Sequence, residues 1–351
     1  MMPASNPADW AVVAPNDDTG FGRQAEALKR VLGVGWHFIV PSDHLDNKVP
    51  TQHQERILPP DADDETLSGL LQLVKGVIFF ERPDWHPSLL PLSASLGIAS
   101  VCCPNWEWFR GQDPRWKYCD RFVCTSKFTE NIVRQFGFTN TFFVGAWPLD
   151  LSMFPERRVR GPARHFIHNA GLVDKQDRKA TRDTIRAFKR VKRSDLKLTV
   201  RLQKQARLPS LDERISLEIG NLEDPADLYK AGDVAIQPSK MEGNGFMVLE
   251  PVLCGIPTLT LDYPPMNEYV TDQRMLVRKR WFKRRAFPSA WVPHAHLRLP
   301  SIRDLSRRIA WCADNSLDEI SNANRSWGLE NFDRQHLIKT WRRALAGLVR
   351  S

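Results

Sequence analysis

The sequence predicts an α/β fold with two Rossmann-like, doubly wound parallel-sheet domains that face a central cleft. Two observations lead to this prediction. Short apolar runs alternate with amphipathic, helix-length segments along most of the 351 residues. The alternation stops at residues 151–164, a segment with proline, glycine and arginine, and then restarts. We therefore expect an interdomain linker in this segment.

The first half has the pattern of parallel βαβ units. Buried strands are predicted at 10–15, 36–41, 76–81, 98–103, 121–126 and 141–147, with helices at 22–32, about 64–75 and 127–137. The second half repeats the pattern, with strands at 163–171, 196–203, 215–220, 233–239 and 257–262 and helices at about 179–192 and 246–254.

These segments give the expected domain organisation. Residues 1–155 form an N-terminal, acceptor-binding domain, and residues 156–330 form a C-terminal domain that binds a nucleotide-sugar. Residues 331–351 contain a closing amphipathic helix, which we expect to pack back on the N-terminal domain.

Composition excludes several classes of protein. Hydrophobic residues make up 42% and charged residues 26%, as in ordinary globular proteins. No apolar run is long enough for a membrane helix, and the N-terminal residues lack the basic start and apolar core of a secretory signal. The six cysteines form no CxxC pair, which is typical of reduced, buried thiols. We expect a cytoplasmic protein, peripheral at a membrane or on nucleic acid; its oligomeric state is open.

The charge favours an acidic partner. The net charge is +9 and the pI about 9.4. The densest basic segment is RMLVRKRWFKRR, 274–285, which includes Arg278, Lys279, Arg280, Lys283, Arg284 and Arg285. Its interleaved aromatics suit contact with nucleic acid or with an anionic membrane. The alternative is a solvated loop or helix face.

One stretch places two carboxylates around a turn. Residues 239–262, SKMEGNGFMVLEPVLCGIPTLTLD, follow a predicted strand, and Glu242 and Glu250 flank a Gly-Asn-Gly turn. The glycines let a ligand approach the backbone, and the helix start is a natural anion site. Because helical side chains lean towards the N-terminus, Glu250 is expected to point at the same site as Glu242. A ligand with an anionic middle and hydroxyl-bearing ends, such as a nucleotide-sugar, fits this pattern.

The segment AGDVAIQPSKMEGNGFMVLEPVLCGIPTLTLD closely resembles the E-x7-E signature of retaining glycosyltransferases with the GT-B fold, the group often called family 4. Upstream, NAGLVDKQDRKATRDTIRAFKRV and IGNLEDPADLYKAGDV also resemble this group. The resemblance is strongest from about 163 to 270. In the N-terminal half it rests on NDDTGFGRQAEALKRVL and CDRFVCTSKFTENIVRQFG.

The resemblance implies a donor site with Glu242 and Lys179 as catalytic residues. Glu242 would position the donor sugar and Lys179 would neutralise the diphosphate leaving group. The donor-binding residues would be Glu250, on the ribose, and Asn244, Gly245, Phe246, Arg178, Gly20 and Gly22. The group normally needs no metal and no cofactor besides the nucleotide-diphosphate-sugar, and Asp61-Ala62-Asp63 is better explained by helix-start acids.

Two departures from the family pattern leave alternatives open. Leu172 follows Gly171 where the family often has arginine, so Arg178 or Arg201 would take that role. The N-terminal domain lacks the family's sugar-facing histidine. Asn105, Glu107 or, with lower odds, His86 could stand there, and Trp106 could stack on an acceptor.

Three functions therefore remain. The leading hypothesis is a retaining glycosyltransferase that acts on a glycan or lipid-linked glycan. The alternatives are a DNA-modifying glycosyltransferase that acts on a hydroxymethylated base, as some phages use, and a non-catalytic nucleotide-sugar-binding module.

Overall fold

The computed structural model describes residues 6–17, 20–41, 46–48, 50, 54–80, 85–286 and 295–348. The chain forms two compact units. Unit 1 comprises Met1–Asp150 and Asn331–Ser351, and unit 2 comprises Leu151–Glu330.

Unit 1 is built on a seven-stranded parallel sheet in the order β3-β2-β1-β4-β5-β6-β7. The strands are β1 Trp10–Ala14, β2 Trp36–Ile39, β3 Glu55–Ile57, β4 Gly76–Phe80, β5 Ala99–Cys103, β6 Arg121–Cys124 and β7 Thr141–Phe143. The helices are α1 Gly20–Ala27, extended by a π-helical turn at Leu28–Leu32, α2 Asp64–Leu71, α3 Leu89–Ser95 and α4 Lys127–Gln135. Every residue of β1, β4 and β5 is buried. Such strands are covered on both faces, which explains their continuous apolar sequences.

The last helix of the chain belongs to unit 1. In α9, Arg334–Leu345, the ring of Trp341 packs edge-on against Trp147 with 5.5 Å between centroids. The guanidinium of Arg121 donates to the carbonyl oxygens of Ala344, at 2.7 Å, and Ala346, at 3.2 Å. Because these carbonyls end the helix, Arg121 satisfies groups that have no partner within it.

Unit 2 is built on a six-stranded parallel sheet in the order β10-β9-β8-β11-β12-β13. Its strands are β8 His165–Gly171, β9 Lys197–Leu202, β10 Ile215–Ile219, β11 Val234–Gln237, β12 Thr258–Leu261 and β13 Leu276–Val277. Its helices are α5 Thr181–Arg190, α6 Phe246–Cys254, α7 Ile302–Asp314 and α8 Asp318–Asn331. The strand order reverses between β8 and β11. Ligands of open α/β sheets bind at such a point, beyond the carboxyl ends of the strands.

The segment 274–285 forms neither a loop nor a helix face, so that interpretation is wrong. Most of it lies in β14, Lys279–Ala286, which pairs antiparallel with β15, His296–Pro300. The register shifts between Lys279 and Arg284, and Trp281, in the bulged part, is 89% exposed. The sequence analysis did not predict β14 because most of its residues are charged. Alternation of apolar and polar residues is the usual signal for a strand.

The predicted fold class is confirmed by the two parallel α/β sheets. The sequence analysis missed β3, β13, β15, α3, α7 and α8. All six cysteines are buried and unpaired, and burial raises the pKa of Cys119, Cys124 and Cys312 to about 12. Among the residues that the structure describes, no helix is long and apolar enough to cross a membrane.

Gly22 lies in the first turn of α1, against the backbone of Asp17. A Cβ at Gly22 would lie 1.8 Å from the carbonyl oxygen of Asp17, whereas one at Gly20 would meet nothing within 4 Å. We therefore expect Gly22→Ala to lower the free energy of unfolding by about 1–3 kcal/mol. Urea unfolding measures the change, with Gly20→Ala as the matched control. Equal stability of the two variants would contradict this packing.

Candidate active site

The site is built at the carboxyl ends of β8 and β11. β11 ends at Gln237, and eight residues separate it from α6, which begins at Phe246. Gly245, just before the helix, has a φ of +67°, a left-handed conformation that favours glycine. Its carbonyl oxygen accepts from the N–H groups of Val248, at 2.8 Å, and Leu249, at 3.0 Å. The N–H of Val248 is therefore paired within the helix, although a helix start leaves its first N–H groups without intrahelical partners.

Glu242 and Lys179 form a short ion pair in this site. The Nζ of Lys179 donates to the Oε1 of Glu242 at 2.6 Å, and the two side chains are 16% and 7% exposed. Burial by itself would raise the pKa of Glu242. The nearby charges of Lys179 and Arg178 outweigh it, so the pKa lies below its usual value. Glu242 is therefore an anion at neutral pH, and it is already paired with the cation that the resemblance places at the donor phosphates.

Glu250 is held by a tyrosine. Its side chain lies in α6 and is 1% exposed, and its Oε2 accepts a hydrogen bond from the hydroxyl of buried Tyr229. Tyr229 ends the short 3-10 helix Pro225–Tyr229, which precedes β11. A hydroxyl that donates to a buried carboxylate fixes its rotamer and satisfies one of its oxygens. Glu250 thus lies in the same unit as Glu242, in the second turn of α6.

The loop that carries Lys179 has an unusual backbone. Asp177 and Ala180, on either side of the Arg178–Lys179 pair, have φ values of +54° and +57°. The carboxylate of Asp177 accepts from the N–H groups of Thr181, at 2.8 Å, and Arg182, at 3.0 Å. These bonds satisfy the first donors of α5 and hold the loop in its left-handed turn. Alanine rarely adopts this conformation, and such residues are often found at functional sites.

His168 anchors the start of α5 to the sheet. Its Nδ1 lies 2.6 Å from the carbonyl oxygen of Ile236, and its Nε2 lies 3.0 Å from the hydroxyl of Thr181. Since a carbonyl only accepts, Nδ1 carries the proton and Nε2 accepts from Thr181. Burial lowers the pKa of His168, which keeps the ring neutral. The residue therefore links β8, β11 and the residue that follows Ala180.

The structure separates the roles of the two candidate arginines. Arg178 is close enough to Glu242 for its charge to lower the pKa of that carboxyl. The guanidinium of Arg201 donates to Glu218, at 2.6 Å, and to the carbonyl oxygen of Leu228, at 3.1 Å. Arg201 therefore braces the segment that leads to Tyr229, and of the two Arg178 is the one that acts on the Lys179–Glu242 pair.

The sequence-derived candidates of the N-terminal half all lie in unit 1. Asn105, Trp106 and Glu107 follow β5 and are 5%, 1% and 2% exposed. The indole of Trp106 packs edge-on against Phe128, with 5.0 Å between centroids, so burial leaves little of its face for stacking on an acceptor. His86 is buried, and its Nδ1 accepts from the N–H of Ser88 at 3.3 Å, close to the start of α3.

The remaining candidates are less enclosed. Arg278 and Lys279 are exposed, and Arg280 lies 3.8 Å from the carboxylate of Asp183. The side chains of Lys283, Arg284 and Arg285 lie outside what the structure describes. Asp63, in the Asp-Ala-Asp segment, caps α2 by accepting from the N–H of Thr66 at 2.8 Å.

Sequence reasoning missed Tyr229, His168, Asp177 and Lys240 as parts of the site. Tyr229 lies in the segment IGNLEDPADLYKAGDV, which resembles the family, so this resemblance could have indicated its role. His168 and Lys240 make contacts with segments that are distant in sequence, and residue spacing does not predict such contacts. Asp177 caps α5 from a left-handed backbone, a conformation that the sequence does not indicate.

The comparisons with known proteins place unit 2 in context. Residues 176–284 match the model of the family Glycosyl transferases group 1, a span that contains the loop of Lys179, both glutamates and most of β14. No curated protein matches the chain in sequence.

Solved structures match over nearly the whole chain. The Anabaena protein HepE in complex with UDP and glucose is 10% identical, with a TM-score of 0.66 and coverage of 96% of this chain and 99% of that one. A glycosyltransferase from Rickettsia africae is 12% identical, with a TM-score of 0.64 and coverage of 96% and 98%. The lipopolysaccharide outer core galactosyltransferase WaaB is 13% identical, with a TM-score of 0.62 and coverage of 96% and 98%. The fold is thus that of GT-B glycosyltransferases.

The left-handed residue Ala180 gives a test of the loop geometry. We expect Ala180→Gly to raise the free energy of unfolding by about 0.5–1 kcal/mol, because glycine relieves the strain at positive φ but loses more chain entropy on folding. Urea unfolding measures this change. The matched control is Ala187→Gly, a buried position inside α5, where the same replacement should destabilise. Destabilisation by both replacements would contradict a left-handed Ala180.

Proposed function

We propose that the protein is a retaining glycosyltransferase that moves a sugar from a nucleotide-diphosphate-sugar to an acceptor. The observation that carries the proposal is the buried Lys179–Glu242 ion pair beside the start of α6. It lies within the part of the chain that resembles glycosyl transferases group 1. The GT-B fold and the neighbour HepE, which was solved with UDP and glucose, are consistent with a nucleotide-sugar donor.

The proposed chemistry begins with the leaving group. When the bond between the sugar and the diphosphate breaks, negative charge develops on the phosphate oxygens. Lys179 and Arg178 supply positive charge there, and amides at the helix start, around Asn244, Gly245 and Phe246, supply donors. These groups are fixed before the reaction, so little reorganisation is needed. We accordingly propose that no metal and no further cofactor is required.

The two carboxylates take the hydroxyl-bearing ends of the donor. Glu242 accepts from sugar hydroxyls and positions the sugar, while the ammonium group of Lys179, held against Glu242, also meets the phosphates. Glu250, whose carboxylate is oriented by Tyr229, accepts from the ribose hydroxyls. Retention then follows by front-face attack of the acceptor within an ion-pair-like state, as in the family that the sequence resembles.

Donor binding is the first test. We expect UDP-glucose, UDP-galactose, UDP-N-acetylglucosamine or GDP-mannose to raise the thermal midpoint, because a ligand stabilises the folded state that binds it. Glu250→Ala and Lys179→Ala should each remove most of the shift. Glu213→Ala is the control, since Glu213 is exposed and lies in neither of the loops that form the site.

The outcomes separate the hypotheses. A shift that survives Glu250→Ala and Lys179→Ala would place the donor elsewhere. Stabilisation by a donor without transfer to any acceptor would favour a non-catalytic nucleotide-sugar-binding module. If no donor gave a shift, the proposal would fail.

For the acceptor we propose a glycan or lipid-linked glycan at an anionic membrane. The specific observation is Trp281, 89% exposed on a strand that contains Lys279, Arg280, Lys283, Arg284 and Arg285. Exposed tryptophan next to basic residues is typical of surfaces that lie at the headgroup level of a bilayer. The alternative, a DNA acceptor with a hydroxymethylated base, depends on the same charges.

Vesicle sedimentation in parallel with gel shifts on duplex DNA distinguishes the two. We expect binding to phosphatidylglycerol vesicles that falls with salt, about 100-fold weaker in Lys279→Gln/Arg284→Gln/Arg285→Gln and weaker again with Trp281→Ala. The control Lys192→Gln/Lys197→Gln/Lys204→Gln removes the same charge from exposed positions of unit 2. Tighter binding to DNA than to vesicles at equal salt would favour the nucleic-acid acceptor.

A further inference from the structure

We propose that Lys240 is a positioning residue that fixes the spacing between Lys179 and Glu242, an inference that rests on the proposed function. Lys240 stands two residues before Glu242 in the loop that follows β11. The sequence analysis did not assign Lys240 to the site. Its side chain is 8% exposed, although lysine is rarely buried unless it is paired.

The ammonium group of Lys240 reaches the other loop of the site. Its Nζ lies 3.1 Å from the carbonyl oxygen of Gln176, which accepts a hydrogen bond. It lies 3.5 Å from the carboxylate of Asp177 and 3.8 Å from that of Asp183. Gln176 and Asp177 lead directly into the Arg178–Lys179 pair. The cation therefore holds the loop that presents Lys179.

The backbone of Lys240 contacts the same loop. Its N–H donates to the carbonyl oxygen of Arg178 at 2.8 Å, and its carbonyl oxygen accepts from the N–H of Arg298, in β15, at 2.9 Å. Side chain and main chain together thus bond to residues 176–178 from one position. Two loops that are more than 60 positions apart in sequence are joined just beside the ion pair that they present.

Asp177 makes this junction stiff. Its carboxylate caps α5 through Thr181 and Arg182 and faces Lys240 at the same time. A hydrophobic side chain of similar volume would stabilise a buried position at least as well as a charge does. Lys240 contacts the two residues before Arg178. Its buried charge is therefore better explained by the position in which it holds the loop of Lys179. With that geometry lost, Lys179 is free to leave the position in which it meets both Glu242 and the donor.

The test separates positioning from stability. We compare the unsubstituted protein with Lys240→Met, Lys240→Arg, Lys179→Met and Lys240→Met/Lys179→Met. Dissociation constants for UDP-glucose and GDP-mannose come from calorimetry, and thermal midpoints are measured in parallel. Lys175→Met is the matched control, because Lys175 is exposed in the same loop.

We expect Lys240→Met to weaken donor binding by about 10- to 100-fold, as misplacement of a binding group by about 1 Å does. Lys240→Arg should recover part of the loss and Lys175→Met should lose nothing. In the Lys179→Met background, Lys240→Met should change the affinity by less than about twofold, because residues that act through one another are not additive.

The contrary results are equally defined. Unchanged affinity in Lys240→Met, or an equal loss of affinity with and without Lys179, would overturn the positioning role and leave the proposed function standing. Absence of donor binding by the unsubstituted protein would overturn the proposed function, and this inference with it. If Lys240→Met does not fold, the variant Lys240→Met/Asp177→Asn also removes the carboxylate that has lost its cation. Asparagine tolerates a left-handed backbone and still caps the helix, so the same criteria apply to this variant.

Discussion

Burying a carboxylate as an anion is costly unless a partner compensates its charge, and in unit 2 the cation of Lys179 does so for Glu242. The two residues come from different loops, so neither loop can move independently without separating the charges. The local backbone follows from this demand. Asp177 and Ala180 adopt left-handed conformations on either side of Arg178 and Lys179, and the neutral ring of His168 fixes the helix that begins beside them. The strain is thus located where the site needs a fixed lysine.

Glu250 satisfies a similar requirement with a neutral partner. The hydroxyl of Tyr229 donates to one oxygen of its carboxylate and so fixes the orientation of the group. Arg201 in turn donates to the carbonyl of the residue before Tyr229. The two carboxylates of the E-x7-E pattern therefore differ in character: Glu242 is balanced by charge, and Glu250 is oriented by hydrogen bonding. In the function that we propose, Glu242 positions the donor sugar and Glu250 anchors the ribose.

Much of the fold was accessible from the sequence because its strands are buried on both faces and its helices are amphipathic. Continuous apolar runs such as 10–15 and 98–103 stood out for this reason. The sequence analysis missed the short edge strands β3 and β13 and the pair formed by β14 and β15. Packing, rather than a local sequence pattern, defines these strands. In the site, Glu242 and Lys179 were suggested by a motif. Lys240 and Tyr229 were not, since their contacts join segments that are distant in sequence and that only the sheet order brings together.

The chain returns to unit 1 only at its end, through α9, whose Trp341 closes against Trp147. This order has a consequence for biosynthesis. Residues 151–330 form unit 2 and are translated in between, which takes roughly 10–40 s at ribosomal rates of about 5–20 residues per second. At the end of that interval all segments of unit 2 have been synthesised, whereas unit 1 still lacks α9, which covers Trp147. The nascent N-terminal unit therefore exposes an aromatic surface until α9 has been translated, and transiently exposed apolar surface of this kind favours aggregation.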